Sequence, residues 1–102
     1  MMKSDAGTLI LKEQECDGTY DASVFIKSEK FMTSGFVATF QESASTVYRK
    51  AIDMIMEKYA TNADYLQSFV YTENGKETTF WLIVDDYGEG HFVLTALLPS
   101  EY

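Results

Sequence analysis

The longest regular pattern of apolar and polar positions runs from Ser43 to Ala60. Apolar residues fall at Ala44, Val47, Tyr48, Ala51, Ile52, Ile55, Met56 and Tyr59, the recurrence of a helix lying on a core. Arg49, Lys50, Asp53, Glu57 and Lys58 take the other side, with Arg49 and Asp53 spaced to pair and Asp53 and Glu57 spaced to repel. Ser43 or Ser45 is placed to cap the first free N–H groups. The segment Thr61-Asn62-Ala63-Asp64 ends the helix.

The rest of the chain reads as strands. Thr8-Leu9-Ile10-Leu11 is a short one, and residues 1 to 7 before it read as loose. Glu13 to Thr19 is polar and holds the turn signal Asp17-Gly18. Tyr20 to Lys27 and Phe31 to Phe40 are predicted strands; Gly35 interrupts the second, which points to a bulge or a close backbone approach. Asn74-Gly75 between two strand-like runs is a hairpin signal. A two-residue turn there sets Glu73 opposite Lys76, Phe69 opposite Phe80, Ser68 opposite Trp81, Leu66 opposite Ile83 and Tyr65 opposite Val84.

That register makes both faces of the hairpin apolar. One holds Tyr65, Gln67, Phe69, Tyr71, Phe80, Leu82 and Val84; the other holds Leu66, Ser68, Val70, Thr79, Trp81 and Ile83. A sheet under a single helix normally shows a polar outer face. Either the N-terminal strands cover the second face, or a partner does. Trp81, in mid-strand, is expected to serve packing first. Phe92 to Leu98 follows the turn Asp85-Asp86-Tyr87-Gly88-Glu89-Gly90 as a third strand, which Pro99 ends. The expected fold is α+β in one domain over residues 1–102: an amphipathic helix on an antiparallel sheet with a C-terminal three-stranded meander.

Charge changes this picture. The chain has 16 Asp and Glu against 8 Lys and Arg, a net charge of -8. From Tyr59 onward there are seven acids and one base, Lys76, so the acid is concentrated in the most aromatic, strand-rich part. Clustered Lys and Arg, which phosphate contacts need, are missing, so direct nucleic-acid and anionic membrane binding are not expected. Basic partners are favoured, including proteins whose own ligand is nucleic acid. The competing reading is that acid only keeps a small protein soluble. No apolar run reaches membrane-spanning length, no leader is evident, and one cysteine, Cys16, allows no internal disulfide, so a reducing cytoplasm fits best.

Catalytic signals are weak. His91 is the sole histidine and reads as a surface residue at a strand start. Cys16 lies between Glu15 and Asp17, which disfavour its thiolate. Asp85, Asp86 and Glu89 lack the alternating spacing of a calcium loop and read as a solvated turn rather than a metal site. Gly88-x-Gly90 opens no helix and cradles no phosphate. No enzyme and no cofactor is therefore expected.

Phe31-Met32-Thr33-Ser34-Gly35, Asp64-Tyr65-Leu66-Gln67-Ser68-Phe69, Phe80-Trp81-Leu82-Ile83-Val84-Asp85-Asp86 and Leu97-Leu98-Pro99-Ser100-Glu101-Tyr102 occur in that order. Across Phe31 to Tyr102 the pattern resembles a family of small uncharacterised proteins of Gram-positive bacteria, common on plasmids, phages and chromosomal cassettes. The chain departs from that pattern at Ser34, where a basic residue is common, and by lacking a proline near Gln41 to Ser43. The resemblance implies carriage on a mobile element and no particular activity.

Two functions follow as expectations. The first is a non-enzymatic acidic inhibitor whose surface imitates a nucleic-acid backbone, of the anti-CRISPR or anti-restriction type. Asp64, Glu73, Glu77, Asp85, Asp86 and Glu89 would supply charge, and Tyr71, Tyr87 and Trp81 would be anchors, Tyr87 in its turn the best placed. The second is a homodimeric assembly module that buries the apolar second face of the sheet.

Overall fold

The computed structural model of the chain describes residues 7–12, 20–59 and 62–102. The C-terminal meander forms as the pattern predicts. The strands β5 (Leu66–Glu73) and β6 (Lys76–Asp86) make the hairpin in the expected register, from Glu73 opposite Lys76 to Leu66 opposite Ile83, with Val84 N–H donating to the Tyr65 carbonyl. Asn74 and Gly75 have φ of 54° and 78°, the paired positive values that a tight hairpin turn needs. β7 (Phe92–Leu97) continues the meander beside β6.

The main sheet has five strands in the order β1-β5-β6-β7-β3. Its edges come from the N-terminal third. β1 (Thr8–Leu11) pairs antiparallel with β5, while β3 (Glu29–Met32) pairs parallel with β7. The sheet is therefore mixed, not antiparallel throughout as expected, because the chain leaves β3 through helices before the meander begins, as a parallel neighbour requires. Both N-terminal strands widen the sheet, and neither lies across its second face. A separate two-stranded ribbon pairs β2 (Tyr20–Asp21) with β4 (Asn62–Ala63).

Two predicted strands are corrected. Tyr20 to Lys27 breaks after β2 into the short helix α1 (Val24–Lys27), where Asp21 Oδ1 accepts from Ser23 N–H at 2.9 Å and Val24 and Phe25 turn into the core. That backbone hydrogen bond, then the Ser23 side chain, holds the Asp21 carboxyl below its usual value. Phe31 to Phe40 is mostly helix α2 (Ser34–Phe40). Thr33 caps it by accepting from Phe36 N–H at 3.2 Å, and Phe36 and Phe40, four residues apart, share one face with ring centroids 4.9 Å apart.

The long helix α3 (Ala44–Lys58) buries Ala44, Val47, Tyr48, Ala51, Ile52 and Ile55 of its predicted stripe, while Met56 and, just past the helix end, Tyr59 are only partly buried. Ser43 supplies no side-chain cap and Ser45 lies inside the helix, because a 3-10 turn at Gln41–Ser43 already leads the chain in from α2. Ala60 and Thr61 lie outside the described residues, as do 1–6 and the expected Asp17-Gly18 turn with Cys16. Both α2 and α3 pack on one side of the sheet. There Phe36, Phe40, Phe69 and Phe80 interlock with Leu82, Val84, Leu94 and Ala96. No helix among the described residues is long and apolar enough to cross a membrane.

Candidate functional site

Strand alternation places every second residue on the side of the sheet that, among the described residues, carries no α-helix. Across the strands, the pairings bring Ile10 beside Val70, Leu66 beside Ile83, Ile83 beside Thr95, Trp81 beside Leu97, and Phe31 beside Thr95. These residues form one apolar field running from edge to edge. Ile83 and Leu97 are shielded by their neighbours yet stand apart from the main core cluster. Ile10 and Phe31, at the two edges, remain 50% and 52% exposed. The exposed apolar surface of this side therefore lies toward its edges rather than at its centre.

Trp81 belongs to this field, which corrects its expected place in the core. Its ring meets the C-terminal Tyr102 edge-on at 5.6 Å. Tyr102 is held there by the preceding residue. Glu101 Oε1 accepts from Thr33 Oγ1 at 2.5 Å and from Leu98 N–H at 2.9 Å, and Oε2 accepts from Gly35 N–H at 3.0 Å. The Thr33 hydroxyl and then the Leu98 amide hold the Glu101 carboxyl below its ordinary range. A Cβ at Gly35 would lie 2.5 Å from Oε2, so any larger residue there would push the carboxylate aside. The expected strand bulge or close backbone approach at this glycine is not what forms: Gly35 lies at a helix start, and a side-chain carboxylate packs against it.

The acids ring the apolar field at its ends. Asp64, Asp85, Asp86, Tyr87 and Glu89 gather at the end of β6 that leads into the Tyr87–His91 turn, where Asp86 Oδ1 accepts from Gly88 N–H at 2.8 Å. Asp64 belongs there because Tyr65 beside it pairs with Val84. Tyr87 is 66% exposed, its ring 5.7 Å from that of His91. Glu73 and Glu77 sit at the hairpin end, about 33 Å away along β6. Glu77 and Asp85 project on the helix-free side. Tyr71 faces the helices: it is half-buried, packs edge-on against Phe40 at 5.3 Å, and its hydroxyl accepts from Gly7 N–H. It cannot act as a surface anchor on the apolar field.

Sequence reasoning missed Glu29, Phe31 and Ile10, because only the strand order brings them to this surface. Glu29 pairs with Val93 beside Asp85, and its Oε1 lies 2.7 Å from His91 Nε2. Both side chains are exposed on the rim. Cys16 lies outside the described residues. Among the described residues no cluster of three or more His, Cys, Asp and Glu could hold a metal ion.

A second feature lies on the opposite side. Between α3 and the corner of α1 and β3 is a cleft of about 420 Å³ walled by Ile26, Met32, Tyr48 and Ile52. The Tyr48 hydroxyl donates to the Leu94 carbonyl at 2.8 Å, and burial pushes its pKa up. A comparison with protein-family models, curated proteins and solved structures finds no match to this chain.

Proposed function

We propose that the chain is a non-enzymatic binding protein that docks a basic protein through the helix-free face of its sheet. The observation that carries the reading is the apolar field of Ile10, Phe31 and Trp81, which no helix covers among the described residues, bordered by Glu29, Glu77 and Asp85. Apolar anchors on this face supply affinity, and charge at the rim steers encounter and excludes acidic competitors. The occupant that fits best is a nucleic-acid enzyme with a basic channel, which the acids at the Tyr87–His91 turn would block in place of a phosphate backbone. An inhibitor of the anti-CRISPR or anti-restriction type is the form that this reading takes. A second copy of the chain fits the apolar centre but not the rim, because facing copies would bring like charges together.

The test joins capture to inhibition. Immobilised protein is exposed to host lysate at low and high salt, and the nuclease activity of any recovered enzyme is assayed with and without the chain. The expected result is salt-sensitive recovery of a basic nucleic-acid enzyme that the chain inhibits, with inhibition lost when Asp85, Asp86 and Glu89 are replaced by Lys. Recovery of the chain alone, or a partner whose activity is unchanged, would overturn the reading.

A further inference from the structure

We infer that the cleft between α3 and the α1–β3 corner is a binding site for a single-chain aliphatic carboxylate. The site is independent of the sheet face. Its volume of about 420 Å³ lies within the range of roughly 300–1,000 Å³ usual for small-molecule sites. The walls are apolar and not closed by the fold: Ile26 is 54% and Met32 37% exposed. Tyr48 spends its hydroxyl on the Leu94 carbonyl, so it offers the cleft a ring and no donor. An uncharged chain of methylenes is what such walls accommodate.

The polar groups all lie on the cleft lining. Arg49, the sole arginine of the chain, stands there, and among the described residues no carboxylate is within ion-pairing distance of its guanidinium. The expected pair with Asp53, one turn further along α3, does not form. Lys30 also lines the cleft. Its ammonium donates to the carbonyls of Ile26 and Ser28, which leaves one N–H and the full charge available. Ser45, one turn before Arg49, adds a hydroxyl. Two cations and one acid, Asp53, give this cleft a net positive charge in a chain of net charge -8. A guanidinium takes a carboxylate through two parallel hydrogen bonds, and Asp53 weighs against more highly charged anions such as phosphomonoesters. An apolar slot with one unpaired fork donor is complementary to an amphipathic monoanion.

Calorimetric titration with decanoate, decanol and acetate tests this, with amide NMR shifts locating the bound probe. Decanoate should bind one per chain, shift the amides of Ile26, Met32 and Ile52, and bind about tenfold or more tightly than decanol, a gap of about 1.4 kcal/mol or more. Acetate, lacking a tail, should not bind measurably. Arg49→Gln should erase the preference for decanoate over decanol, and Arg49→Lys should restore part of it. Ser45→Trp should fill the mouth and block binding, with far-ultraviolet circular dichroism unchanged. Equal binding of decanoate and decanol, uptake of several molecules per chain, shifts outside the cleft, or full affinity in Arg49→Gln would each overturn the inference. So would absence of binding to the folded wild-type chain.

Discussion

Glu101 and Gly35 show how one exposed carboxylate can organise a chain end. Three hydrogen bonds converge on Glu101 from Thr33, Gly35 and Leu98, and they tie the last turn of the chain to the start of α2. Because these contacts lower the Glu101 pKa, the tie is complete above the ordinary carboxyl value of 4.5 and is lost as pH falls through the lower folded value. Glu101→Gln should therefore lower the thermal midpoint at neutral pH, and the difference from wild type should vanish in acid. Trp81 emission should report the same event, since Tyr102 rests on its ring. Gly35→Ala, whose Cβ would collide with the carboxylate, should reproduce the Glu101→Gln phenotype, and the two together should be less than additive. Full additivity would mean that the carboxylate and the glycine act separately.

At the scale of elements, the legible parts are those specified locally. Asn74-Gly75 determines a hairpin by its own backbone preferences, and α3 shows its helical period over four turns. Residues 31–40 were ambiguous by nature: Phe36, Ala38 and Phe40 satisfy a strand period, while Phe36, Val37 and Phe40 satisfy a helical one. The Thr33 cap is a local signal that could have favoured the helix, but Glu101, which joins it, is 68 residues away. The parallel seat of β3 is likewise long-range. Between α2 and α3 the chain turns at Gln41, with φ 50° and ψ -120°, a conformation that favours glycine. Gln41→Gly should relieve that strain and raise the unfolding free energy by about 1 kcal/mol, after the added freedom of the unfolded glycine is offset. Urea denaturation would read the gain as a higher midpoint at constant slope. A lower midpoint would show that the Gln41 side chain contributes more than its backbone costs.

Over the whole molecule, the packed core and the half-exposed apolar margins lie on opposite sides of one sheet. The helix side carries the interlocked phenylalanines, so Phe80→Ala should cost about 3–5 kcal/mol. The helix-free side carries Ile10 and Phe31 at its margins, half exposed and outside the core cluster. Replacing both with Thr should change stability by no more than about 0.5 kcal/mol per site. Strand preference is kept by this choice, since threonine suits a strand as isoleucine and phenylalanine do. If the proposed function holds, the same double variant should bind a basic partner markedly more weakly, because the rim acids remain but the apolar contacts beside them are gone. Charge reversal at Asp85, Asp86 and Glu89 should act differently, slowing association and changing its salt dependence more than it alters dissociation. These two signatures separate anchor from rim. If the Ile10 and Phe31 double variant instead unfolded as readily as Phe80→Ala, the helix-free face would belong to the fold, and its exposure would say nothing about a partner.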